Sequence, residues 1–175
     1  MTPSNWINHM APSDGPPPTA LGKFFHWGLK GSLKVLSISA LSSILTGVVE
    51  VSAVLMLGLC VDAAIGSSPE NPLGNEMWLF TAGLLFFLVA RPLIFGAFSY
   101  MQTVVVTPNV FNLVLSRLHR WTIGHSIQFF DDDFAGRIAQ KEMQTARAVT
   151  DVVVEVLHTV LFALASVVGA TLLLS

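Results

Sequence analysis

Charge is what this chain has least of. Asp, Glu, Lys and Arg make up 11% of its 175 residues, under half of the roughly 25% found in a soluble domain. So little solvating charge points to a membrane protein. A single cysteine, Cys60, excludes an internal disulfide framework and reads as a small apolar residue on a spanning helix. Five scattered histidines lack zinc spacing, and no two face each other within the apolar runs as a haem would require. The formal net charge of −2 implies no nucleic-acid partner. Nowhere does G-x-x-x-x-G-K-[S/T] occur, the loop that cradles the phosphates of a nucleotide. The chain by itself should therefore neither bind nor hydrolyse ATP, and no cofactor or metal is expected on it.

What is present is a series of long apolar runs. Residues 1–19 hold Pro3, Pro12, Pro16, Pro17 and Pro18 with few large apolar side chains, so the composition predicts a disordered tail. It is no signal peptide, because the first apolar run starts too far in and is too long. Residues 20–34 set Phe24, Phe25 and Trp27 among Lys23, Lys30 and Lys34. That mixture suits a short helix lying in the headgroup region, or else the flank of the next helix. Residues 35–61 form the first span, with Glu50 as their one charge and more than the ~20 residues a bilayer needs. Ser39, Ser43 and Gly47 permit close helix contact there.

A turn-rich loop follows that carries Asp62, Glu70 and Glu76 and no Lys or Arg. Lysines before the first span and none in this loop put the N-terminus in the cytoplasm. The second span starts at Met77 and holds Arg91 and Pro92. Its helical spacing runs on through Phe111, Leu118 and Trp121, in a segment taken as residues 77–127. From Met77 to Trp121 one helix would be about 67 Å long at 1.5 Å per residue. A ~30 Å hydrocarbon core cannot hold it, so its end should project into the cytoplasm, bent near Pro108. A polar segment at 128–145 comes next, then a third helix over 146–175. About 17 residues lie between His158 and Ser175, the short limit for a span, so the sequence is expected to be incomplete.

Two charges lie inside the spans. Glu50 and Arg91 sit roughly 18 and 21 Å below the outer ends of their helices, close enough in depth to meet across antiparallel neighbours. They either pair or face a shared aqueous cavity.

At Phe129-Phe130-Asp131 and Gly136-Arg137-Ile138 the polar segment resembles the first intracellular loop of ATP-binding-cassette (ABC) exporters. That family shows an aromatic pair, a few polar residues, then Gly-x-[Ile/Leu/Val] leading into the third membrane helix. The likeness covers residues 20–175 as an interfacial elbow helix, two long spans, a loop far from the membrane and the start of a third. Thr145 and Gln140-Lys141 depart from the family's usual Asp and Ser-Arg at those places.

The resemblance implies an all-α membrane helix bundle whose long helices extend into the cytoplasm, here an incomplete ABC exporter-like transmembrane domain. It also implies a coupling helix at Asp133, Phe134, Ala135, Gly136 and Arg137 that rests on a nucleotide-binding domain. ATP and Mg would be bound on that partner domain, and a second transporter half would complete a homo- or heterodimer in the lipid bilayer. The expected location is the inner (plasma) membrane of a bacterium. Phe134 would anchor the contact, Gly136 would let the chain turn, and Asp131 to Asp133 would either cap the short helix or form a solvated turn. The rival readings are a small membrane anchor or assembly subunit without ATPase, and part of a secondary transporter.

Overall fold

In hydrocarbon every backbone N–H and C=O must bond within its own segment or a closed sheet, so long apolar runs fold as helices. A computed structural model describes residues 6–13, 15–66, 77–126 and 135–174. Helix α1 spans Leu21–Leu29 and α2 spans Leu33–Gly66. Next come α3 (Met77–Leu85), α4 (Arg91–Tyr100) and α5 (Thr107–Ile123), joined by π-helical turns at Phe86–Ala90 and Met101–Val106. Helix α6 (Ala135–Glu155) leads through a π-helical turn at Val156–Val160 into α7 (Leu161–Leu174). No strand occurs among the described residues.

Leu33–Gly66, Met77–Ile123 and Gly136–Leu173 are each long and apolar enough to cross a membrane. Within the most apolar stretch of each, only 22%, 11% and 11% of residues are buried inside the chain. The apolar surface so left uncovered needs lipid or further helices against it.

The prolines explain two of the π-helical turns. Pro92 and Pro108 lack the N–H that would bond four residues back, and their rings crowd the carbonyls of Leu88 and Val104. Both carbonyls lie in the widened turns, where the bonds skip to the fifth residue: Arg91 N–H donates to Phe86 O and Thr107 N–H to Gln102 O. No proline accounts for the third.

Contacts divide the chain into two units. The first comprises Met1–Ala40 with Tyr100–Leu157. Its core is the pairing of α5 with α6, where Val106, Val110, Leu113, Val114 and Ala146 are fully buried at the three-to-four spacing of a helix face. Arg117 lies on that same face and is 2% exposed. A buried guanidinium must find acceptors, and this one donates to the carbonyls of Trp27, Gly28 (3.0 Å) and Lys30 (2.6 Å). Those are the carbonyls that the end of α1 leaves without intrahelical donors. Gly31 follows at φ +94°, the left-handed geometry that ends helices, and Ser32 Oγ donates to Leu29 O at 2.7 Å. The elbow between α1 and α2 is thus built on Arg117.

Residues 6–13, within the stretch that composition reads as a tail, lie against α5. Ile7 is 1% exposed. Ser116 Oγ donates to His9 O at 2.5 Å and Arg120 Nη2 to Met10 O at 2.6 Å. Side chains of α5 satisfy the backbone of a segment that has no ladder of its own.

The second unit comprises Leu41–Ser99 with His158–Ser175. Close approach marks it. A Cβ on Gly47 would lie 2.7 Å from Ala165 Cβ and 2.9 Å from Phe162 O, and one on Gly169 would lie 3.0 Å from Val51 Cγ2. On α7 the small residues Ala165 and Gly169 lie four apart and let it approach α2 closely. The ring of His158 stacks on Phe98 with centroids 5.4 Å apart.

Two outcomes follow. Arg117→Ala should cost about 3 kcal/mol and speed hydrogen exchange across residues 21–32. Arg117→Lys should rescue little, because a compact ammonium does not span several carbonyls as a planar fork does. In thermal melts Gly47→Leu should cost about 1–3 kcal/mol through overpacking. Gly58→Ala, whose Cβ would meet nothing within 4 Å, should be neutral or slightly stabilising.

Candidate functional site

Glu50 and Arg91 form the charged feature of the second unit. Glu50 follows Gly47 by three residues on α2, next to the close crossing. Arg91 is the residue at which the π-helical turn Phe86–Ala90 gives way to α4. Arg91 Nη2 donates to both carboxylate oxygens of Glu50, at 3.0 and 2.8 Å. Its guanidinium carbon stands 5.6 Å from the centroid of the Phe95 ring, within reach of a cation–π attraction. The two side chains keep 39% and 37% of their surface exposed. The charge is therefore neutralised locally yet open on one side.

The expected coupling segment is described only in part. Asp133 and Phe134 lie outside the described residues, as does the aromatic pair Phe129-Phe130. Ala135, Gly136 and Arg137 form the first turn of α6, continuous with the long helix that follows. Among described glycines only Gly15 and Gly31 have positive φ. Gly136 thus keeps helical backbone instead of turning the chain there, and like Arg137 it is exposed. Farther along α6, Glu142 Oε2 lies 3.3 Å from His119 Nδ1 of α5, which ties the two helices near their polar ends.

Arg117 and the N-terminal segment were not expected to matter. The signal existed for Arg117, since it follows Val110, Leu113 and Val114 at helical spacing and so falls on the buried face. The capture of residues 6–13 had only a faint trace, in that Ser116, Arg117 and Arg120 bring three donors to one stretch of α5.

Over 162 residues, 87% of its length, the chain is 30% identical to an uncharacterized ABC transporter ATP-binding protein of Haemophilus influenzae. The match covers 25% of that protein, so the chain spans about a quarter of the length of the curated relative it matches. The chain is similar to part of an ABC transporter protein. No family model matches it, and no solved structure does.

The pair gives a measurable expectation. Glu50→Gln or Arg91→Gln alone leaves an unpaired charge on an apolar helix, which should cost about 1–3 kcal/mol. Exchanging the two, Glu50→Arg with Arg91→Glu, should restore most of the loss in thermal melts. A double exchange no more stable than either single variant would show that the contact contributes nothing to the fold.

Proposed function

We propose that this chain is a transmembrane portion of an ATP-driven ABC exporter. In this reading the segment between α5 and α6 receives the movement of an ATPase domain and passes it to the spans. The observation that carries it is the helical run Met77–Ile123. It has 47 residues where about 20 cross a bilayer, and its end packs along α6. A helix pair that outlasts the membrane can transmit displacement as a stiff rod, and a simple anchor has no use for it. The similarity to part of an ABC transporter ATP-binding protein supports the same reading.

In detail, Asp133, Phe134, Ala135, Gly136 and Arg137 would meet the nucleotide-binding domain, with Phe134 as the apolar anchor. That domain would hold ATP and Mg, and a second transporter half would complete the pathway. Glu50 and Arg91, paired but open on one side, would stand beside or within that pathway. The excess of Lys and Arg at the two polar ends, and its absence from residues 62–76, supports a cytoplasmic N-terminus and an inner-membrane location.

Photo-cross-linking from an engineered cysteine that carries a photoreactive maleimide tests the docking contact. With Cys60 replaced by Ala, Phe134→Cys or Arg137→Cys should cross-link in native membranes to a polypeptide or domain that carries the phosphate-cradling loop. The yield should change by several-fold when ATP and vanadate are added. Cross-links only to proteins without that loop, or yields indifferent to nucleotide, would remove the exporter reading and leave a membrane anchor without ATPase as the better account.

A further inference from the structure

Helix α1 carries Lys23 and His26 three residues apart, on one helix face, and Lys30 is the residue that caps its C-terminal end. Beside that face lies a cavity of about 390 Å³, lined by Pro18, Gly22, Lys23, His26, Trp27 and Lys30. Its wall is held in place from within. Trp27 Nε1 donates to Gly15 O at 3.4 Å, and Phe24 stacks on Trp27 with centroids 5.7 Å apart. This fixes the strand of chain that brings Pro18 over the helix. Gly22 leaves the cavity open, since a Cβ there would meet nothing within 4 Å. Among the described residues no acidic side chain lines the cavity. Two ammonium groups and an imidazole around one concavity are complementary to an anion of phosphate size and charge.

The surroundings say which phosphate. Leu21 is 74% exposed and Leu33 51% exposed, so large apolar side chains stand uncovered at either end of α1. A soluble anion gains nothing from them, whereas acyl chains do. A Trp body with lysines reaching outward is also the residue mixture of the headgroup layer. We infer that this cavity binds the phosphate headgroup of an anionic phospholipid, with Lys23, His26 and Lys30 as the donors and Trp27 as the wall. The inference rests on the membrane reading of the chain and makes α1 a lipid-specific fastening.

Native mass spectrometry of the protein purified in neutral detergent, with phosphatidylglycerol and phosphatidylcholine as probes, tests it. The wild type should retain phosphatidylglycerol in clear preference to phosphatidylcholine. Replacing Lys23 and Lys30 by Gln should weaken phosphatidylglycerol retention by roughly fivefold per lysine and leave phosphatidylcholine unchanged. Gly22→Leu keeps every charge and favours helix, yet its side chain would fill the cavity and should lower the preference by a similar factor. Full preference in Gly22→Leu would mean diffuse attraction to a charged surface and would overturn the site. So would full preference in the double lysine variant. Displacement of the lipid by excess inorganic phosphate, with no preference among lipids, would assign the cavity to a soluble anion instead. Flotation with phosphatidylcholine vesicles separates the two levels of failure. A chain that floats but shows no preference overturns the cavity assignment alone, and one that does not float overturns the membrane reading with it.

Discussion

A guanidinium withdrawn from water has to be surrounded by oxygen, and in the first unit that requirement sets the arrangement of everything near it. Arg117 projects from the buried face of α5 and takes its acceptors from the last turn of α1. Helix ends normally meet such needs with water or a nearby cap. Here a residue some ninety positions away does it, so α1 cannot form its elbow independently of α5. The N-terminal segment depends on the same surface, through Ser116 and Arg120. One side chain thereby couples α1, the start of α2 and the polar end of α5.

The second unit solves the opposite problem. Its helices have almost no charge to satisfy, and between apolar helices in lipid the hydrophobic effect supplies little attraction. Shape has to do the work. Gly47 and Gly169 let α2 and α7 approach until a single methyl group would collide, and dispersion contacts then accumulate along the crossing. Gly83 serves the α2–α3 contact in the same way, with Cys60 Sγ 3.1 Å from where its Cβ would be.

Much of this was legible in the residues, and what was not has definite causes. Apolar run length gives three helices long and apolar enough to cross a membrane, and three-to-four spacing carries the second on to Ile123. Counting residues from the helix ends brings Glu50 and Arg91 to the same depth. The contacts of residues 6–13 could not be read locally, because their donors on α5 lie more than a hundred positions away, which no local window contains. Of the expected coupling segment only Ala135, Gly136 and Arg137 are among the described residues, in the first turn of α6. Two of the three π-helical turns left a mark in the prolines, which say where the ladder must give way but not by how much.

That last quantity has a consequence for the charges in the span. Successive residues of an α-helix advance by about 100° around the axis. Gly83 faces α2, so in an unbroken helix Arg91, eight residues on, would point roughly 80° away from α2. A π-helical turn takes up one extra residue, which makes the interval count as about seven and brings Arg91 back to within roughly 20° of the Gly83 direction. The widened turn at Phe86–Ala90 thus sets the rotational phase of α4, and the ion pair exists only in that phase. Evolution could replace either charged residue one at a time. A single-residue insertion between Gly83 and Arg91 would instead swing Arg91, and everything after it on α4, out of register with Glu50 without altering any residue that touches the pair.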